Sequence, residues 1–209
     1  MGLDITVMIA DWSWLTEVPP GRRLTRLRDA WYDDGTGWWD RDAPAVESGL
    51  DWPRGPHSGR FAVYEFPRTC GSFKPHFWAG QRWESFREHI AAPMRAEWDA
   101  LLLELVWDGL DGTARHTEPG LFGDDEDDPD AHGQGVLLAR SPGTVRELGA
   151  RWERIRPGLD GARQAFTEHA AAPEGWVGDF DAFKELLEGW GQVLAEAAGR
   201  GWGVVGLSE

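Results

Sequence analysis

Fourteen tryptophans in a chain of 209 residues constrain the fold more than any other feature. Each indole carries a large apolar body and one N–H that wants a partner when buried, so a chain this rich in them folds around an aromatic core. If several indoles faced water instead, they would form a platform for a sugar or a nucleobase. The length supports one substantial core, or at most two small ones.

Around the indoles the apolar residues follow two periods. Leu3, Ile5, Val7 and Ile9 alternate with Asp4, Thr6 and Met8, and this period of two predicts a first strand. Pro19 and Pro20 open a helix whose Leu24, Leu27 and Trp31 face inward. Residues 33–59, dense in Gly, Pro and Asp, read as a long loop, 60–66 as a second strand, and 67–75 as turns. Trp83, Phe86 and Ile90 line one helix face until Pro93 breaks or kinks it; Met94, Trp98, Leu101, Leu102 and Leu105 then resume the stripe.

Residues 135–139 predict a short buried strand, followed by Ser141 as an N-cap and Pro142 at the first helical position. Val145, Leu148, Trp152 and Ile155 mark a helix ending before Pro157. A helix over 162–170 comes next. Asp179 caps a last helix, striped by Phe180, Phe183, Leu187, Trp190, Leu194 and Ala197, and a strand over 202–207 closes the chain. The pattern predicts a single α+β domain over 1–209, with a small mixed or antiparallel sheet packed against several helices. Residues 111–135 carry no usable period and read as an acidic mobile insertion within it.

The last third reads LLARSPGTVRELGARWERIRPGL, then GDFDAFKELLEGWGQVLAEAA, then GWGVVGLS. In that order of strand, proline-opened helix, aromatic-bearing helix and apolar closing strand it resembles the end of the YfbM-like domains of unknown function. The Met1-Gly2 start leading into a strand is similar too. The resemblance implies an α+β architecture and brings no catalytic residues with it.

Charge narrows the partners. Against 21 Lys and Arg stand 36 Asp and Glu, a net −15 that repels a phosphate backbone and suits a basic protein. Lys74 and Lys184 are the only lysines and Asn is absent, the bias of a GC-rich bacterial genome. The apolar start is interrupted by Asp4 and has no basic leader, so no signal peptide is expected. The apolar run 101–107 is broken by Glu104 and is too short to span a bilayer. Cys70, the single cysteine, fits a reducing cytoplasm.

Several constellations carry candidate chemistry. Cys70 has His76 downstream and His57 upstream, with Arg68 and Lys74 near enough in sequence to lower a thiol pKa, so a thiol nucleophile with a histidine base can be drawn. The rival is an unreactive loop or core thiol. The histidines follow no zinc-ligand spacing, so neither a metal site nor a cofactor is expected. Asp124, Asp125, Glu126, Asp127, Asp128 and Asp130 alternate partly like a calcium loop but lack its turn glycine and closing Glu. They read instead as a solvated charge run able to steer a basic partner. Arg22, Arg23, Arg26 and Arg28 form a basic cluster near several indoles, either an anion pocket or an outer helix face.

Two functions follow from these residues. The first is a non-enzymatic acidic interaction protein, immunity-like or antitoxin-like, that docks a basic protein through the acidic run. The alternative is a small-molecule binder or enzyme whose pocket, within residues 31–83, is lined by Trp38, Trp39, Trp52 and Trp78.

Overall fold

The computed structural model describes residues 4–34, 47–105, 116–118, 120–123 and 135–208. Trp38, Trp39 and the acidic run 124–130 lie outside the described residues.

At the centre of the sheet, β1 (Ile5–Ala10) pairs antiparallel on both sides, with β3 (Phe61–Glu65) and with β6 (Gly203–Ser208). The short β2 (Gly49–Asp51) forms the edge beyond β3, inside what the composition marked as loop. On the other side β5 (Val136–Arg140) lies antiparallel to β6, and the two-residue β4 (His116–Thr117) runs parallel to β5. The order is β2-β3-β1-β6-β5-β4, so the closing strand of the chain sits inside the sheet. Within 111–135, His116 and Thr117 thus belong to the sheet, and most of the remainder lies outside the described residues.

Both faces of the sheet are covered. On one face α1 (Trp12–Leu15) and α2 (Pro20–Asp34) bring Trp14, Leu15, Leu27 and Ala30 onto Met8, Phe61, Val63 and Val205. On the other, Ile5, Val7, Ile9, Tyr64 and Leu138 meet α3 (Lys74–Phe86), α4 (Ala92–Leu102), α5 (Pro142–Ile155), α6 (Arg163–His169) and α7 (Phe180–Arg200). The alternation along β1 therefore separates two buried faces, which is why Met8 is as buried as Ile9. In β5, Val136 opposes Leu207 while Leu138 opposes Gly206, and the extra Leu137 is a bulge that sets Leu137 and Leu138 on the same core.

Local chemistry explains the helix ends. The Asp179 carboxylate accepts from the Ala182 N–H at 2.8 Å and starts α7. Gly201, at φ +68°, ends it in the left-handed conformation that lets the Trp202 N–H reach the Ala197 carbonyl at 2.8 Å. Ser141 caps α5, which ends at Ile155; Pro157 falls in a 3-10 turn (Arg156–Ala162), where its missing N–H costs little near the start. Pro93 stands in the first turn of α4, and the chain is extended at Ile90 and Ala91, between α4 and the 3-10 extension of α3 (Arg87–His89).

Aromatic rings fill the helical side of the core. Trp83 and Trp98 stack at 4.9 Å; Phe86 meets both edge-on, Phe183 stacks on Trp98, and Phe166 packs edge-on or tilted against Phe86 and Phe183. The Trp83 indole N–H donates to Asp99 at 2.9 Å, and the same carboxylate holds Arg87 through two nitrogens. Gly191 lets α5 and α7 close: a Cβ there would fall inside the Trp152 indole.

Candidate functional site

Cys70 and its two candidate partners are placed apart. Cys70 is an exposed free thiol in the turn between β3 and α3, a turn with positive φ at Arg68 (62°), Cys70 (49°) and Gly71 (73°). The turn is tied to β1 by the Ile5 N–H donating to the Gly71 carbonyl at 2.7 Å. His76 points into the core instead, 0% exposed, its ring 4.8 Å from Phe66 and 5.7 Å from Trp190. The Trp190 indole N–H donates to His76 Nδ1 at 3.3 Å. The imidazole proton therefore sits on Nε2, which has no hydrogen-bond partner among the described residues. Burial pulls the His76 pKa down to about 3, so the ring is neutral and sealed. A base so enclosed cannot serve an exposed thiol.

His57 is on the other side of the sheet. Its ring lies 6.0 Å from Trp14, and its backbone N–H donates to Asp34 at 2.8 Å. Of the Arg-rich cluster, Arg26 lies 4.6 Å over the Trp14 ring and pairs with Glu17 at 2.7 Å. Arg23 donates to the Leu121 carbonyl at 2.7 Å, anchoring residues 120–123 onto α2. These two arginines are structural ties.

Trp52 and Trp78 stand at opposite ends of α7, a helix of 21 residues and so about 30 Å long. Trp78, on α3 and 39% exposed, lies beside Arg82, whose Nε–H donates to the Val177 carbonyl at 3.1 Å, just before α7 begins. Exposed Phe77 and Trp176 lie near it along the chain and the loop. Val177 is buried at φ +55°, a strained conformation for a β-branched residue. At the C-terminal end of α7, Trp52 faces Trp202 at 6.0 Å, with the Arg200 guanidinium 4.2 Å from the Trp52 ring and 5.2 Å from that of Trp202. Arg200 Nε–H also donates to Glu196 at 2.6 Å. The grouping was not foreseen from the sequence; the signal was an arginine in the last helical turn followed by Gly201 and Trp202.

An ion network centred on the buried Arg140 lies where β5 meets α5. Arg140 is 4% exposed; its Nε–H donates to the Glu104 carbonyl at 2.8 Å and Nη2 pairs with the Glu104 carboxylate at 3.1 Å. Burial lowers its pKa, and the charges of Glu104 and Glu118 oppose that. For Glu118 burial works upward, but hydrogen bonds from Thr144 and Ser141 and the charge of Arg140 outweigh it and hold the carboxyl below its usual range. Trp12 closes over this end of the sheet against Gly203, where a Cβ would enter the Trp12 ring and come within 2.7 Å of the Arg140 carbonyl. The network joins β5, α5 and the chain after α4, with Arg140 turned onto its own protein.

Surface cations follow the same habit. Arg60 pairs with Asp11, Arg95 with Glu88, Arg151 and Arg154 with Glu97, and Arg163 and Lys184 with Asp160. Among the described residues no group of three or more His, Cys, Asp or Glu side chains is placed to hold a metal ion, and no helix is long and apolar enough to cross a membrane. No protein-family model, curated protein or solved structure matches the chain.

Proposed function

We propose that this chain is an acidic interaction protein of the immunity-like or antitoxin-like kind, docking a basic protein partner. The observation that carries the reading is the inward use of its cations. Most of the described arginines, together with Lys184, are engaged with the chain's own carboxylates, carbonyls and indoles, so few of them are turned outward to repel a basic partner, and the net charge is −15. Such a field steers a basic partner and repels nucleic acid. The run Asp124, Asp125, Glu126, Asp127, Asp128 and Asp130 concentrates part of that charge. A cytoplasmic setting in a bacterium accompanies this reading, since the exposed Cys70 thiol suits a reducing compartment. The weak likeness to YfbM-like domains is compatible with it.

The test is association kinetics with the basic protein captured from the source cytoplasm. Its on-rate should fall steeply as salt shortens the screening length toward about 10 Å at 0.1 M. Neutralising the six carboxylates of 124–130 should lower the on-rate more than it raises the off-rate. Kinetics indifferent to both salt and neutralisation would sink the proposal. Capture of a small metabolite alone would promote the Trp-lined alternative, for which Trp52 at the Arg200 grouping is the supporting residue.

A further inference from the structure

The C-terminal end of α7 is built to hold a cation, and its present occupant is a side chain of the protein itself. Three features there favour positive charge. The Trp52 and Trp202 rings meet at 57° and 6.0 Å, two electron-rich faces turned on one guanidinium. The Glu196 carboxylate stands on the same helical turn and accepts from that guanidinium. The helix itself ends there, with the negative end of its dipole at Arg200 and Gly201.

Arg200 itself is loosely kept: its side chain is 43% exposed, and its carboxylate partner Glu196 is exposed to a similar degree, the condition in which solvent leaves an ion pair weak.

We propose that the Trp52–Trp202–Glu196 cage is a guanidinium-binding site, in which Arg200 is the resident placeholder and an arginine of the basic partner takes its place on docking. The inference rests on the reading of the protein as a binder of basic partners and names the point at which one arginine is recognised. An incoming guanidinium meets both indoles and the carboxylate, while the displaced Arg200 swings into solvent on its flexible stem.

The test uses the full-length protein and follows the indole N–H resonances of Trp52 and Trp202. The probes are N-acetyl-arginine amide and its neutral isostere N-acetyl-citrulline amide. Arg200→Ala should open the cage, giving saturable shifts of both resonances with the arginine probe and a response at least about tenfold weaker with citrulline. The unmodified protein should bind the arginine probe more weakly than Arg200→Ala, because Arg200 competes. Arg200→Gln, which keeps a long stem without the charge, should behave like Arg200→Ala. Adding Trp52→Ala to either variant should abolish the response. Folded variants with no saturable indole shift, or with equal response to both probes, overturn the site.

An arginine-rich peptide should bind the opened cage more tightly than the single amide and in a salt-sensitive way. Equal affinity would overturn the protein partner and assign the cage to a free guanidino compound. These probes need no captured partner, so failure of the cage and failure of the wider acidic-docking reading register separately.

Discussion

Replacing His76 with leucine should change how stability depends on pH rather than simply lower it. In the unfolded chain the imidazole takes a proton near its ordinary pKa of about 6.5, whereas in the folded protein burial holds that pKa at about 3. Protonation therefore favours the unfolded state. The contribution of neutral His76 is intact above pH 6.5 and is lost as pH falls from there toward 3, by about 1.4 kcal/mol per pH unit once well below 6.5.

Between pH 7 and pH 5 this amounts to about 2 kcal/mol. The neighbouring rings Phe66, Phe73 and Trp190 carry no charge to offset it. At pH 7 the leucine variant strands the Trp190 indole N–H, costing about 1 to 3 kcal/mol, but removes the unpartnered Nε2–H, which returns a similar amount. The two proteins should thus be nearly matched at pH 7, and the variant should be more stable by about 2 kcal/mol at pH 5. Urea unfolding from pH 8 to pH 5, with unchanged m-values, measures the difference while carboxylate titrations common to both proteins cancel. A stability difference that stays flat across this range would refute the sealed, neutral imidazole.

Four further outcomes follow. Gly203→Ala should lower stability by about 1 to 3 kcal/mol, because the new methyl meets the Trp12 ring and the Arg140 carbonyl, and backbone cannot step aside; thermal unfolding reads it. Gly191→Ala should be as costly through Trp152, with near-ultraviolet circular dichroism reporting the displaced indole. Asp99→Ala should cost about 1 to 3 kcal/mol in urea unfolding, since it strands the Trp83 indole N–H and takes from Arg87 its nearest carboxylate, leaving it only Glu84 and Glu88. Cys70 should react with a thiol reagent in the folded protein, and Cys70→Gly should raise the unfolding temperature slightly, as glycine accepts the φ of +49° without strain.

The helices and their phases were legible in the sequence because they are local. Spacings of three and four residues set which faces of α5 and α7 are apolar, and Ser141, Asp179 and Gly201 act within one turn of their own backbone. The α+β class followed from the same alternation of periods. Even the burial of His76 had a signal, since it precedes Trp83 by seven residues and so shares its helix face. Treating the chain up to Pro75 as turn concealed it, although α3 begins at Lys74.

What only the tertiary structure decided is which distant residues meet. The closing strand enters the middle of the sheet because β1 and β5 leave it a place there, a matter of topology that no local period encodes. The sheet then puts His57 and His76 on opposite sides, and the length of α7 sets Trp52 and Trp78 apart. The same helix delivers Arg200 and Trp202 to Trp52 at the sheet edge. The number of indoles is a property of the sequence, but which way each ring faces depends on packing between elements far apart in the chain.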